Sequence, residues 1–305
     1  MINYGKHFID KKDIEIVKKT LKSSFLTQGP KVDLFEKKLK KYLSSNYVLS
    51  CSTGTAALHL SCQALGLSKG DYLWTTPITF VASANCAYFC GSKIDFVDID
   101  KNSWNIDIKK LNQKLIEAKI KKKLPKIIIV VHLGGASCDM ISLKSLSKKF
   151  KFKIIEDACH ALGGKYNNFD IGSCKYSDIS TFSFHPVKSI TTAEGGAIST
   201  NSKKIYERLK ILRHHGIIKS SFNYDIPYIS NNYRLSDLHS ALGISQLSKL
   251  KKFIEYRKKI SKFYNKHLTS KTLINRVYDS KTKSAYHLYI VRSKKIKNSM
   301  QKKIG

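Results

Sequence analysis

The sequence predicts an α/β protein with a mostly parallel β-sheet covered by helices on both faces. Short apolar runs rich in β-branched residues alternate with segments of helical periodicity. The connections between them are short, and 42% of the residues are apolar, as in ordinary globular proteins. Parallel strands need crossover helices, and these helices bury both faces of the sheet.

The elements follow one another along the chain. Helices are predicted at residues 11–22, 32–43, 56–65, 81–89, 108–118, 141–150, 203–214 and 236–267. Strands are predicted at residues 47–50, 72–75, 94–97, 127–131, 154–155, 179–184, 196–200 and 286–291. We expect a large domain over residues 1–245 and a partial, small C-terminal α+β domain over residues 246–305, with the boundary inside the last helix.

The charge balance is unusually basic. Lys and Arg number 55 against 22 Asp and Glu, a net charge of +33. Nucleic-acid readers favour arginine for bidentate and stacking contacts, yet only six of the 55 are arginine and the lysines are scattered over most helices. We therefore expect no specific nucleic-acid partner. Weak binding to polyanions stays an alternative that the charge alone suggests.

The cysteine pattern and the lengths of the apolar runs indicate in which cellular compartment the protein is found. The seven cysteines include no C-x-x-C pair, which favours free thiols in a reducing cytoplasm and no metal site. The longest purely apolar run, residues 127–131, is far shorter than a membrane span, and no secretory signal is recognisable. We expect a cytoplasmic protein that does not bind membranes.

Candidate functional residues follow the carboxyl ends of four predicted strands, where ligands bind in parallel sheets. Gly54 and Thr55 belong to the small, hydroxyl-rich segment 51–55 that precedes a predicted helix and offers backbone N–H groups to an anion, although its Ser and Thr also suit an ordinary N-cap. Phe80 follows the next strand and is either a stacking platform or core. Asp157 closes a buried strand and needs a partner, because an unpaired buried carboxylate is costly.

The fourth strand end carries the most specific pattern. Lys188 lies between an aromatic strand and a Gly-Gly turn, where desolvation makes a lysine a nucleophilic amine. An anion cup, an aromatic ring, a carboxylate and a nucleophilic lysine are together the groups that pyridoxal 5'-phosphate (PLP) requires. Each pattern is weak alone, but their order and placement predict a PLP site.

The chain resembles the DegT/DnrJ/EryC1/StrS family of PLP-dependent sugar aminotransferases over nearly its whole length. The matching segments are residues 26–30 (LTQGP), 52–58 (STGTAAL), 77–85 (PITFVASAN), 156–163 (EDACHALG), 183–196 and 232–237 (NYRLSD). The resemblance implies the PLP-dependent transferase fold of type I. It also implies transfer of an amino group from L-glutamate to C4 of a UDP-linked 4-keto-6-deoxy sugar, as in nucleotide-sugar biosynthesis of the pseudaminic acid type.

The resemblance also implies a role for each site residue. Lys188 is the catalytic residue that bonds to the cofactor and shuttles the proton. The residues implied to hold PLP are Gly54, Thr55, Phe80, Asp157, His160, Ser183 and Asn232. Asn232 would reach the site of the other subunit of a homodimer. The residues implied to bind the UDP-sugar are Tyr4, Ser24, Phe25, Leu26 and Thr27.

Other readings stay open at the level of sequence. The chain ends at Gly305, where relatives continue with further elements of the small domain. We therefore expect PLP binding to survive better than turnover, and a truncated, catalytically impaired paralogue is one alternative. Another aminotransferase of the family, with a different nucleotide sugar, is a second alternative. A PLP-dependent sugar dehydratase of the same fold is a third, but such enzymes carry histidine in place of Lys188.

Overall fold

The computed structural model describes residues 5–219, 223–268 and 273–293. Within these residues the helices are α1 (Lys11–Leu21), α2 (Pro30–Leu43), α3 (Gly54–Ala64), α4 (Ala82–Phe89), α5 (Ile108–Ile120), α6 (Met140–Phe150), α7 (Lys203–Arg213) and α8 (Asp237–His267). The strands are β1 (Tyr47–Cys51), β2 (Tyr72–Thr75), β3 (Lys93–Phe96), β4 (Ile127–Val131), β5 (Lys153–Asp157), β6 (Lys165–Tyr166), β7 (Phe169–Asp170), β8 (Ile179–Ser183), β9 (Gly196–Thr200), β10 (Ile218–Lys219), β11 (Tyr224–Asp225), β12 (Leu273–Asn275), β13 (Thr282–Lys283) and β14 (Val291–Ser293).

The central sheet has the strand order β1-β9-β8-β5-β4-β2-β3. Only β9 runs against its neighbours, and it pairs antiparallel with both β1 and β8. The predicted, mostly parallel sheet is thus confirmed. The carboxyl ends of β1, β2, β4, β5 and β8 meet at one edge, which is where the candidate residues were expected.

The central strands are continuous apolar runs because both of their faces are buried. All five residues of β4 are buried, because helices cover both faces of the sheet. Ile127 and Ile129 pack in a core with α3, α4 and α7, while Ile128 and Val130 pack in a second core with α5 and α6. A third core joins the sheet to α2 and α8.

The C-terminal segment packs back on the sheet domain. β13 pairs antiparallel with β6. The Arg276 guanidinium is buried and donates to the carbonyls of Ser103 and Leu133 and, over 2.7 Å, to Oδ1 of Asn105. The domain boundary that we propose near residue 245 falls inside the continuous helix α8.

One predicted strand is wrong. Residues 286–290 lie outside any strand, and pairing resumes only at β14. Tyr286 has a φ of 51°, so the chain turns there instead of extending. Two short hairpins, β6–β7 and β10–β11, were not predicted, because two-residue strands carry no measurable periodicity. In the described residues no helix is both long and apolar enough to cross a membrane.

Candidate active site

Asp157 is a buried carboxylate that forms no ion pair with the described residues. It closes β5 and is 6% exposed. Its Oδ2 accepts the hydroxyl hydrogen of Ser83 over 2.7 Å, and its Oδ1 accepts the backbone N–H of Cys159 over 3.2 Å. The Ser83 hydroxyl also lies 2.8 Å from Oγ1 of Thr79. No ion pair to Asp157 is found among the described residues, so the carboxylate can still accept from a cationic N–H of a ligand.

Lys188 and Asp157 both act electrostatically on His160. Lys188 is half-buried in the turn after β8, and its backbone N–H donates to the carbonyl of His185 over 2.9 Å. Burial and then the charge of Lys188 together lower the pKa of His160 to about 4, while Asp157 opposes both. His160 Nδ1 accepts the backbone N–H of Gly134 over 3.3 Å, so the ring is neutral with its hydrogen on Nε2.

An anion cradle forms where α3 begins. Thr53 caps the helix: its Oγ1 accepts a hydrogen bond from the N–H of Ala56, and its carbonyl accepts one from the N–H of Ala57. Helix geometry then leaves the N–H groups of Gly54 and Thr55 for an outside acceptor. A Cβ on residue 54 would lie only 2.7 Å from Cβ of Ser183, so glycine lets the helix start pack against the end of β8. These N–H groups and the Ser183 hydroxyl suit a phosphate.

Phe80 lies on the turn just before α4, the helix that carries Ser83, whose hydroxyl donates to Asp157. Its neighbour Thr79 contacts Ser83, and its own ring is 69% exposed. The core alternative weighed from the sequence is therefore wrong. An exposed aromatic side chain beside a buried carboxylate suits a platform for a flat ring.

The sequence did not indicate two further residues of the site. The ring of His287 lies 4.4 Å from the ring of His160, at an interplanar angle of 35°. Nη1 of Arg257 lies 3.3 Å from Nδ1 of His287. Burial lowers the pKa of His287 to about 2, and the charges of His160, Lys188 and Arg257 act in the same direction. No local pattern marks these residues, because only the fold brings α8 and the C-terminal segment to residue 160.

The predicted UDP-sugar segment lies at the surface between α1 and α2. Ser24, Phe25, Leu26 and Thr27 are exposed, and the segment is held to the start of α8 by the bond from the Asp237 N–H to the carbonyl of Leu26. Within the described residues no hydrogen bond joins this segment to Lys188.

Asn232 is also exposed. Its Oδ1 accepts the backbone N–H of Arg234, which leaves its NH₂ group free to donate. Tyr4 lies outside the described residues.

The fold is that of the PLP-dependent transferases of fold type I. The chain belongs to the DegT/DnrJ/EryC1/StrS aminotransferase family, whose sequence profile matches residues 7–304. It is 44% identical over 294 residues to the UDP-4-amino-4,6-dideoxy-N-acetyl-beta-L-altrosamine transaminase of Campylobacter jejuni, covering 95% of this chain and 76% of that protein.

Solved structures agree with this assignment. Helicobacter pylori PseC, an aminotransferase involved in the biosynthesis of pseudoaminic acid, superposes with a TM-score of 0.87 at 33% identity, covering 95% of this chain and 77% of that one. The PLP form of the putative sugar aminotransferase Spr1654 from Streptococcus pneumoniae superposes with a TM-score of 0.86 at 29% identity, over 96% and 78% of the two chains. The family and such PLP-bound neighbours imply dependence on PLP.

Proposed function

We propose that this chain is a PLP-dependent aminotransferase that moves the amino group of L-glutamate to C4 of a UDP-linked 4-keto-6-deoxy sugar. The similarity to the Campylobacter jejuni transaminase supports the sugar and the pseudaminic acid type of nucleotide-sugar biosynthesis. The observation that carries the chemistry is that Lys188 and Asp157, a buried carboxylate with no ion pair among the described residues, both lie within electrostatic reach of the same histidine, His160.

The residues present fit PLP. Gly54, Thr55 and Ser183 would bind the phosphate, Phe80 would stack on the ring, and Asp157 would accept from the protonated pyridine nitrogen. When bound, PLP supplies an aldehyde that condenses with amines and a ring that accepts electrons. Ser83 and the Cys159 N–H hold the Asp157 carboxylate in place, so its charge is oriented before the ligand binds.

Lys188 then carries out the proton transfers. In each half-reaction its amine takes a proton from one carbon and returns it to another, which keeps the proton out of water. The neutral ring of His160 lies beside it without adding a positive charge that would oppose protonation of the amine. The ring of His287 packs against that ring, and Arg257 in turn contacts His287.

The substrate and the partner subunit belong to the same proposal. The segment Ser24 to Thr27, together with Tyr4, would line the UDP-sugar pocket, and the net charge of +33 would attract a dianionic nucleotide sugar. Asn232 would donate its free NH₂ group to the phosphate in the other subunit of a homodimer. Ile229 near it is 95% exposed, which suits a contact surface. We further propose a cytoplasmic location, because all seven cysteines are free thiols.

The visible absorbance of the protein with PLP, before and after L-glutamate, tests the proposal. We expect a band of protein-bound PLP that glutamate removes, and a Lys188→Ala variant that neither shows this response nor transaminates. A Lys188→Ala variant that still transaminates contradicts the proposal. A wild-type band that glutamate leaves unchanged identifies a cofactor-binding, impaired paralogue instead. Supplying the 4-keto sugar nucleotide to the glutamate-treated protein, with mass analysis of the product, tests the acceptor.

A further inference from the structure

Three cysteines gather between α3 and α4, behind the cradle. Cys62 lies on α3, Cys86 on α4, and Cys90 directly follows α4. The sulfurs of Cys62 and Cys86 are 3.7 Å apart, and Cys62 also interacts with Cys90. Cys62 and Cys86 are fully buried, whereas Cys90 is partly exposed. A small molecule therefore reaches the cluster through Cys90.

A buried histidine lies beside this cluster. His59 is 9% exposed, and its Nδ1 is 2.7 Å from the hydroxyl oxygen of Tyr233. That oxygen accepts from the amide of Asn231 over 3.1 Å, so its own hydrogen is free to donate to Nδ1. The histidine hydrogen is then on Nε2, which is buried and without a hydrogen-bond partner in the part of the chain that is described. Cys90 is the neighbouring group whose thiolate would accept it.

These contacts shift the pKa values of Cys62 and Cys90 in opposite directions. The interaction with Cys62 and, to a smaller extent, that with His59 lower the pKa of Cys90 to about 6 against the effect of burial. The same contacts with Cys86 and Cys90, together with burial, raise the pKa of Cys62. For comparison, burial and the charge of Glu156 raise the pKa of another buried thiol, Cys174, to about 11, although hydrogen bonds with serine hydroxyls oppose them. The cluster thus pairs a thiol of lowered pKa, Cys90, with a thiol of raised pKa, Cys62.

A metal does not explain this grouping. Among the described residues no set of three or more histidine, cysteine, aspartate or glutamate side chains has an arrangement that would hold a metal ion. A thiolate that is partly exposed and adjacent to a second thiol is instead the arrangement of redox-active cysteines.

We propose that Cys90 is an oxidation site for peroxides, and that Cys62 resolves it to a Cys62–Cys90 disulfide. The Cys90 sulfur attacks one oxygen of the peroxide, the O–O bond breaks, and the other oxygen leaves as hydroxide or alkoxide. The Cys62 sulfur then attacks the sulfenic sulfur, and the hydroxyl group leaves as water with the Cys62 proton. Two thiols lose two electrons, and these reduce the peroxide.

The position of this disulfide couples it to the cradle. α3 begins at Gly54, and α4 begins two residues after Phe80. The carbonyl of Tyr233, the residue that bonds His59, accepts the N–H of Ser52 over 2.9 Å. A Cys62–Cys90 bond therefore joins the two helices whose first turns form the proposed cofactor pocket.

Peptide mass analysis of the intact protein after treatment with hydrogen peroxide tests the proposal. We expect a Cys62–Cys90 linked peptide pair that a thiol reductant removes, loss of two titratable thiols per chain, and no such pair in Cys90→Ser. The matched control Cys174→Ser should form the pair as the wild type does. A wild-type protein in which Cys90 stays reduced while other thiols oxidise, or in which Cys62 links to Cys86, overturns the proposal.

Alkylation of Cys90 by iodoacetamide at different pH values gives a second, independent readout. A thiol with a pKa of about 6 is about half ionised at pH 6, against about 0.3% for an ordinary cysteine. We expect the rate at Cys90 to reach half its maximum near pH 6, and His59→Asn to move this midpoint upward. A wild-type midpoint above pH 8 contradicts the role of His59 and Cys62.

Discussion

The contact between the start of α3 and the end of β8 can be tested by adding a single methyl group. In Gly54→Ala the new Cβ would lie 2.7 Å from Cβ and 3.1 Å from Oγ of Ser183, whereas carbon atoms pack at about 3.5–4.0 Å. The helix start must therefore move by nearly 1 Å. Overpacking of this kind costs about 1–3 kcal/mol of unfolding free energy. The shift also misaligns two N–H groups proposed to bind phosphate, and one such bond is worth about tenfold or more in affinity.

Urea unfolding of the PLP-free protein and a fluorescence titration with PLP measure the two effects separately. In the double variant Gly54→Ala, Ser183→Gly the obstructing Cβ is absent, so we expect stability to recover, but PLP affinity to stay low because the Ser183 hydroxyl is lost. Gly5→Ala is the matched control, since its Cβ would lie 3.5 Å from its nearest neighbour. Unchanged stability and unchanged PLP affinity in Gly54→Ala would refute the close packing and the cradle.

Two further predictions concern a histidine and an arginine. Because the pKa of folded His160 is about 4 against an ordinary 6.5, the unfolded chain gains a proton between these values and the folded chain does not. The unfolding free energy should thus fall as pH falls from 6.5 to 4, by up to about 1.4 kcal/mol per pH unit, and urea unfolding of His160→Gln should show a smaller slope. Arg276→Met removes three hydrogen bonds of a buried cation and should cost about 2–4 kcal/mol. Arg276→Lys should recover little because it lacks the planar fork, and cleavage of residues 273–293 by protease in Arg276→Met should be faster than in the wild type.

The sheet could be predicted from the sequence because its central strands are buried on both faces. Seven of the eight predicted strands coincide with β1, β2, β3, β4, β5, β8 and β9 to within two residues at each end, so the order of the strand ends along the chain was known. In a parallel sheet that order brings Gly54, Asp157 and Lys188 to one edge. Local chemistry at each strand end and the rule for parallel sheets were enough for these residues.

The sequence analysis could not predict His287, because its place in the site depends on contacts between distant parts of the chain. His287 reaches His160 only because the chain turns at Tyr286 and because Gly135, with a φ of 100°, lets residues 286 and 287 pass within about 3 Å of where its Cβ would be. A strand was predicted over residues 286–291, but the backbone N–H groups of Ala285 and Leu288 donate to the carbonyls of Gly135 and Gly134 and not to a strand partner.

The burial of Asp157 without an ion pair among the described residues is evidence for a ligand. The sequence required a partner for a carboxylate at the end of a buried strand, and the described residues supply the neutral donors Ser83 and the Cys159 N–H without an ion pair. Two neutral hydrogen bonds offset part of the cost of burying the charge, while the remaining cost favours any ligand that brings a cationic N–H. An aromatic ring exposed on the adjoining turn and an anion cradle at the same sheet edge define that ligand further, as a flat, protonated ring with a phosphate. The buried charge, the exposed ring and the cradle therefore favour a ligand with the chemistry of PLP.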